Sequence, residues 1–147
     1  MGIFSNLFSG PPAVGLFVDG PNVLRNEFDV DLEDLRVTAA EEGTLRTARL
    51  YLDENASSGL VQAAEANGFD VRVTSGDVDV KLAVDATAFV TTEDIDVLVI
   101  ASRDTDFKPV LEIANRIGGR TLAIAPGTHG RSDALVNAAH DAVLLGD

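Results

Sequence analysis

Short apolar runs alternate along this chain with longer segments of helical period. The pattern predicts strands over residues 14–18, 45–52, 69–74, 95–101, 121–125 and 142–145. It predicts helices over residues 32–42, 57–67, 77–90, 107–117 and 132–139. Such alternation is typical of a doubly wound α/β domain, with a mainly parallel sheet of five or six strands and helices on both faces. One domain over residues 13–147 is expected, because a chain of 147 residues builds one core.

The first twelve residues precede this domain as a short tail. They carry four large apolar side chains, Ile3, Phe4, Leu7 and Phe8, but no basic residue, which excludes a secretory signal. A short helix packed on the domain or a frayed end is expected, and a weak membrane or partner contact is the alternative. No apolar run in the chain approaches the roughly 20 residues of a membrane-spanning helix.

Polar side chains follow the first and the fourth predicted strands. Asp19 and Asn22 come after the first strand, and the run SRDTD at residues 102–106 comes after the fourth. In the common strand orders of such sheets, these two strands are neighbours where the order reverses, and ligands bind beyond their carboxyl ends. We therefore expect two acidic groups that are distant in sequence to face each other.

Each of these acids also has a purely structural interpretation. A cap on the turn at residues 20–22 explains Asp19, and a cap on the following helix explains Asp104 or Asp106. Against this, an unpaired carboxylate at a buried strand end is very costly, so Asp19 needs a partner. The run at residues 102–106 also holds more polar groups than a cap requires.

Asp85 lies within an apolar stripe of the helix predicted over residues 77–90. The members of the stripe are spaced four, three and four apart: Val78, Leu82, Asp85 and Phe89. Such a stripe faces the core, so an acid within it is a candidate functional group. The alternative is that Asp85 lies at the margin of the stripe and reaches water or a nearby threonine. Asp79 ranks below Asp85, because an acid in the first turn of a helix stabilises its dipole.

Carboxylates held close together repel one another, and a cation resolves the conflict. Oxygen ligands without His or Cys suit Mg²⁺ or Mn²⁺, which activate water and stabilise charge on a phosphate. This chemistry points to phosphodiester hydrolysis. The chain has no cysteine, which excludes disulfides and thiol catalysis and fits a cytoplasmic protein. His129 and His140 lack ligand spacing and are interpreted as structural or exposed.

The net charge of −13 argues against a nucleic-acid partner, because phosphate binding depends on Lys and Arg. Only 2 of the 11 basic residues are lysines, and 16 of the 24 acids are aspartates. A halophilic protein from a salt-rich cytoplasm is the favoured explanation. At about 1 M salt the Debye length is about 3 Å, so general repulsion no longer prevents binding of an anionic substrate.

Three motifs occur in order along the chain. They are FVDGPNVLR at residues 17–25, VDVKLAVDA at residues 78–86 and ASRDTDFKPVLEIANRIGGRT at residues 101–121. Together they resemble the NYN domain, a family of the PIN-like, FLAP-nuclease-like ribonucleases. The resemblance spans nearly the whole chain and implies a PIN-like doubly wound fold, Mg²⁺ or Mn²⁺ as cofactor, and RNA as the substrate that is cleaved.

The resemblance also implies a set of site residues. Those for catalysis and metal binding are Asp19, Asp85, Asp104 and Asp106, with Asp79 as a second-rank metal ligand; those for substrate are Asn22, Arg25, Ser102 and Arg103. Arg131 is a further candidate for phosphate contact. Two departures from the family pattern concern substrate contacts more than metal binding: Arg103 replaces a glycine, and residues 76–77 replace an expected lysine.

Other classes share parts of this pattern. A phosphatase of the haloacid-dehalogenase type needs a second aspartate at position 21, where this chain has Pro21. A receiver-like domain needs an aspartate after the third strand, where residues 74–76 supply none. A non-catalytic RNA- or protein-binding module of the same fold is the main alternative, although a pure binder has no need of mutually repelling carboxylates. A homodimer and an RNA-binding partner protein also stay open.

Overall fold

The computed structural model describes residues 10–25, 30–92, 95–127 and 134–145, so most of the predicted tail lies outside it. The strands are β1 (Ala13–Asp19), β2 (Thr44–Asp53), β3 (Asp70–Thr74), β4 (Val97–Ala101), β5 (Arg120–Pro126) and β6 (Asp141–Leu145). The helices are α1 (Gly20–Val23), α2 (Leu32–Ala40), α3 (Ser58–Ala66), α4 (Val78–Thr91), α5 (Lys108–Arg116) and α6 (Ala134–Ala138). A 3₁₀ turn at Thr105–Phe107 leads into α5.

The strands form a single six-stranded sheet in the order β3-β2-β1-β4-β5-β6. Every pair of neighbouring strands is parallel. The order reverses between β1 and β4, which are paired from Val14 with Val97 to Val18 with Ala101. The predicted doubly wound fold and the predicted contact between the first and fourth strands are therefore confirmed.

Two apolar cores cover the two faces of the sheet. Val14, Leu16 and Val18 of β1 point towards α2 and α3, whereas Phe17 of the same strand packs with α4 and α5. All residues of β1 and β4 are buried, as expected for central strands that are covered on both sides. None of the helices in the described ranges is both long enough and apolar enough to cross a membrane.

Local signals explain where the helices begin and end. The hydroxyl of Ser57 accepts a hydrogen bond from the N–H of Leu60 at 3.1 Å and caps α3, and Gly68, with φ of +90°, follows its end.

Two predictions differ in detail from the structure. The DGPN turn contains the short helix α1, because Pro21 suits a first helical turn, and the helix predicted from residue 107 is preceded by the 3₁₀ turn.

Gly20 directly follows β1 and lies against the backbone of β2. A Cβ atom at this position would lie 2.5 Å from the carbonyl oxygen of Tyr51. We expect Gly20→Ala to lower the free energy of unfolding by about 1–3 kcal/mol, because the backbone would have to shift. In the exposed part of α3, a Cβ at Gly59 would meet only Ser57 Oγ at 3.9 Å. Gly59→Ala is therefore the matched control, and urea unfolding that shows equal stability for the two variants would contradict the prediction.

Candidate active site

The candidate site lies beyond the carboxyl ends of β1 and β4. Asp19 is the last residue of β1, and Ser102 directly follows β4. The N–H of Ser102 bonds to the carbonyl of Ile124 at 3.0 Å, which continues the pairing of β4 with β5 by one residue. The crevice at this point of reversal is the usual ligand position in a doubly wound sheet.

Asp19 is a buried carboxylate, with 5% of the residue exposed. The hydroxyl of Ser102 donates to Asp19 Oδ2 at 3.1 Å and accepts from the N–H of Asp104 at 2.9 Å. Burial raises the pKa of Asp19 to about 6, although the hydrogen bonds from Ser102 and from the backbone of Asn22 act in the opposite direction. The negative charges of Asp104 and Asp79 raise this pKa further.

Three more carboxylates gather at the same edge of the sheet. Each of Asp79, Asp104 and Asp106 offers an oxygen atom within 4.8 Å of the other two. Asp79 comes from the first turn of α4, and Asp104 caps the 3₁₀ turn by accepting from the N–H of Asp106 at 2.9 Å. The charge of Asp104 raises the pKa of Asp106, and a hydrogen bond with Asp79 adds to this rise. We call these three residues the acidic cluster.

The chemistry of the acidic cluster fits a hard divalent cation. Its donors are carboxylate oxygens alone, which is the ligand set that Mg²⁺ and Mn²⁺ prefer. The raised pKa of Asp106 reflects the charge of Asp104, a repulsion that a cation would relieve, whereas the raised pKa of Asp19 is caused mainly by burial and only secondarily by the neighbouring acids. Asp79, Asp104 and Asp106 are therefore the residues that could hold such an ion, and Asp19 is a buried carboxylate whose pKa responds to two of them.

A polar cleft of about 390 Å³ opens beside the acidic cluster. It is lined by Asp19, Pro21, Asn22, Arg25, Asp53, Gly76, Asp77, Val78, Asp79 and Asp104. Asp53 and Asp77 were not among the predicted site residues. Asp53 is the last residue of β2, so the strand-end rule that selected Asp19 would also have found it. Asp77 is the N-cap residue of α4, but its side chain makes no capping hydrogen bond.

The predicted substrate residues are placed differently from one another. Arg25 lines the cleft, and the side-chain oxygen of Asn22 accepts from the backbone N–H of Arg103 at 2.9 Å. The guanidinium of Arg103 bonds to the carbonyl oxygens of Pro126 and Gly127, so it fastens the end of β5 to the loop after β4. Arg131 lies outside the described residues, as does His129. Nδ1 of His140 accepts from the N–H of Thr121 at 3.1 Å, which is a structural contact.

Asp85 lies apart from the acidic cluster. It follows Asp79 by six residues on α4, a rise of about 9 Å along the helix. Its Oδ2 accepts from the hydroxyl of Tyr51 at 2.7 Å and from Arg49 Nη1 at 3.0 Å, and its Oδ1 lies 3.2 Å from Lys81 Nζ. Burial acts to raise the pKa of Asp85, but the hydrogen bonds from Tyr51 and Lys81 and the charges of Lys81 and Arg49 lower it.

The burial of α4 explains this position. The buried stripe of the helix consists of Val78, Leu82, Ala86 and Val90. Asp85 lies at the margin of that stripe, with 12% of its side chain exposed, where the alternative interpretation of the sequence had put it. Asp79, which ranked lower, is the acid of α4 that joins Asp104 and Asp106. Helical periodicity did not distinguish the surroundings of the two acids, because the Arg49 and Tyr51 partners of Asp85 lie on β2.

Fold and site together define a nuclease-like α/β domain of the PIN type, with carboxylates where the strand order reverses. The profile of the NYN domain family matches residues 13–145, so the chain belongs to the NYN domain family. This match confirms the resemblance that the three motifs indicated. The family is part of a nuclease superfamily.

Two similar proteins were found, and the solved one supports the fold. An uncharacterized protein of Methanocaldococcus jannaschii is 38% identical over 138 residues, which cover 94% of this chain and 57% of that protein. The chain thus spans little more than half the length of this relative. The crystal structure of a protein of unknown function from Vibrio parahaemolyticus has a TM-score of 0.78 at 20% identity, covering 93% of this chain and 94% of that one.

The buried position of Asp19 predicts a stability penalty that depends on pH. The folded protein keeps a proton on Asp19 up to a pKa of about 6, whereas the ordinary value is 3.8. Stability without metal therefore falls as the pH rises between these values, and the whole penalty is present above them. We expect Asp19→Asn to stabilise the metal-free protein by about 1–3 kcal/mol near neutral pH and to lose this advantage below about pH 4.

Urea unfolding in EDTA over a pH series measures this difference. Asp34→Asn is the matched control, because Asp34 is exposed on α2 and the substitution removes the same charge. A gain for Asp19→Asn that is the same at acidic and neutral pH would contradict the assigned burial penalty.

The contacts of Asp85 predict a structural cost when it is removed. Asp85→Ala leaves the buried hydroxyl of Tyr51 and the largely buried guanidinium of Arg49 without this acceptor. We expect the free energy of unfolding to fall by about 2–4 kcal/mol. Asp70→Ala serves as the control, since Asp70 contacts the same Arg49 at 3.5 Å from a half-exposed position. Thermal and urea unfolding should show a change for Asp70→Ala of less than about 1 kcal/mol, and a similar loss for both variants would refute the prediction.

Proposed function

We propose that this chain is a ribonuclease that depends on Mg²⁺ or Mn²⁺ and hydrolyses RNA phosphodiester bonds. The observation that carries the proposal is the acidic cluster beside buried Asp19, at the point where the strand order reverses. Asp19, Asp79, Asp104 and Asp106 would hold the ion. When bound, such an ion lowers the pKa of water and neutralises the charge that develops on a phosphate.

The residues of the chain have distinct parts in this proposal. Ser102 orients Asp19 through its hydroxyl, and Asp104 is tied to the same hydroxyl through its backbone N–H. Asn22 holds the loop after β4 against the end of β1, so that carboxylates from the two strands keep their separation. Arg25 lines the cleft and contacts the substrate phosphates.

Two predicted site residues act indirectly in this proposal. Arg103 fixes the loop after β4 to the end of β5, through its hydrogen bonds to the carbonyl oxygens of Pro126 and Gly127, and does not contact the substrate. Asp85 anchors α4 to β2 and so fixes the helix that carries Asp79. We propose Asp85 as a positioning residue rather than a metal ligand, because both of its oxygens already contact cationic or hydroxyl groups.

The acidic surface determines the conditions under which RNA binds. With 24 acidic against 11 basic residues, the protein repels a polyanion at low ionic strength. We propose that it works in a salt-rich cytoplasm, where this repulsion is screened. The scarcity of lysine also favours a partner protein that supplies part of the RNA binding, and a homodimer is a further way to enlarge the binding surface.

Cleavage of labelled RNA in concentrated KCl tests the proposal. We expect product with Mn²⁺ or Mg²⁺ and none with EDTA. Asp104→Asn and Asp79→Asn should each lower the rate by roughly 100-fold or more, the scale seen when one preorganised electrostatic group is lost. Asp34→Asn, with the same change of charge on the opposite side of the sheet, should leave the rate unchanged.

The same variants separate ligands from positioning residues. Calorimetric titration with Mn²⁺ should show binding that Asp79→Asn weakens strongly and that Asp85→Asn weakens much less. Metal-dependent RNA loss that is no greater than in Asp104→Asn would overturn the nuclease assignment. Retention of RNA binding in that case would favour a non-catalytic module of the same fold.

A further inference from the structure

An apolar groove lies on the surface between α4 and α5. Val84 and Ala88 line it from α4, and Val110 and Ile113 line it from α5. The groove has a volume of about 480 Å³, and among the described residues that line it Asp106 alone carries a charged side chain. Covering apolar surface is favourable, so a segment of matching chemistry would bind here.

The apolar surface extends beyond the groove along both helices. Val84 is 61% exposed, and Val80, one turn earlier on α4, is 58% exposed. Ile117 follows Ile113 by four residues and is 52% exposed. Because α4 also buries a stripe of apolar residues against the sheet, it is apolar on two sides. A helix of that composition is normally covered on both sides.

We propose that an N-terminal segment of this chain, residues 3–9, occupies the groove. The segment lies outside the described residues, and its sequence contains Ile3, Phe4, Leu7 and Phe8. These side chains are spaced one, three and one apart, so a helical segment presents all four on one side. Large apolar side chains on one side of a helix are the chemistry that a groove with aliphatic walls accepts.

The lack of charge in this segment also fits the groove. The chain has 24 acidic and 11 basic residues, but none of them precedes Asp19. A segment with charged side chains would have to bring them out of water into the groove, which costs free energy, whereas residues 3–9 bring none. The segment is also not repelled by the surface of a chain whose net charge is −13.

The segment is attached within reach of the groove. Helix α4 ends at Thr91, which lines the groove at the end opposite Asp106. The N–H of Asp96 donates to the carbonyl of Ala13 at 2.7 Å, and Asp96 Oδ2 accepts from the N–H of Ala13 at 2.8 Å. Ala13 follows Gly10 by three residues, and Asp96 follows Thr91 by five. Even with both connections fully extended, Gly10 lies within roughly 30 Å of Thr91, a distance that the residues before Gly10 can span.

A spin label on the segment tests its contact with the groove in the full chain. Since the chain has no cysteine, Ser5→Cys provides a single labelling site. In methyl-labelled protein without metal or RNA, we expect the label to remove most of the NMR intensity of Val84 and Ile113, and reduction of the label to restore it. Val61 of α3, on the opposite face of the sheet, should keep its intensity.

Two variants disrupt the contact, one from each side. Phe8→Ser removes an apolar side chain from the segment, and Ala88→Glu places a carboxylate in the groove at an exposed position of α4. Each should restore most of the methyl intensity in the presence of the label and lower Tm by about 2–4 °C. The matched controls are Asn6→Ser, off the apolar side of the segment, and Ala63→Glu, at an exposed position of α3. They should change neither quantity.

The double variant Phe8→Ser with Ala88→Glu distinguishes docking from unrelated destabilisation. If the segment occupies the groove, the double variant loses no more in Tm than the single variants do. Additive losses, full Val84 intensity beside the label, or equal broadening of Val61 and Val84 would overturn the inference. None of these measurements involves RNA or metal, so their outcome is independent of the nuclease assignment.

A mixed sample separates contact within one chain from contact between chains. Spin-labelled protein without methyl labels is combined with methyl-labelled protein that lacks the spin label. We expect no broadening of Val84 in this mixture. Broadening as strong as in the single-chain experiment would show that the segment of a second copy fills the groove, and would also overturn the inference.

Discussion

The parallel pairing of β1 with β4 is the contact on which the rest of the structure depends. These strands are buried along their whole length and supply the centre of both apolar cores. Their register brings Val18 beside Ala101, so the residues that follow, Asp19 and Ser102, emerge side by side. Because the strand order reverses here, connections leave the two strands in opposite directions and a crevice remains above their ends. The burial of these two apolar strands thus brings the polar side chains of Asp19 and Ser102 together.

The site concentrates negative charge that the fold itself does not need. Burial and neighbouring acids raise the pKa of Asp19, and close contact raises that of Asp106. The protein satisfies part of this charge with local donors: the Ser102 hydroxyl for Asp19 and the backbone N–H of Asp106 for Asp104. What remains is electrostatic strain that a divalent cation is suited to relieve. Functional sites commonly keep such destabilising arrangements at the expense of stability.

Helix α4 places two acids of one element in different surroundings. At its first turn Asp79 meets other carboxylates, whereas further along Asp85 meets a phenol, a guanidinium and an ammonium group. The contacts of Asp85 join α4 to β2, the strand that pairs with β1. They therefore hold the helix in position relative to Asp19 as well. Stability at one end of the helix supports the geometry of the acidic cluster at the other.

Local pattern was sufficient to predict the fold, and it also predicted that acids from two distant segments meet at one edge of the sheet. Strand and helix periods differ, so the alternation of elements is visible in sequence, and parallel strands bring Asp19 and Asp104 to one edge of the sheet whatever the details of packing. The part played by Asp85 was decided by tertiary structure alone. Its partners Arg49 and Tyr51 lie 36 and 34 residues away, and helical period gives the direction of a side chain but not what stands opposite it. The same holds for Arg103, whose guanidinium contacts the end of β5, and for the groove between α4 and α5, which exists only once the two helices pack together.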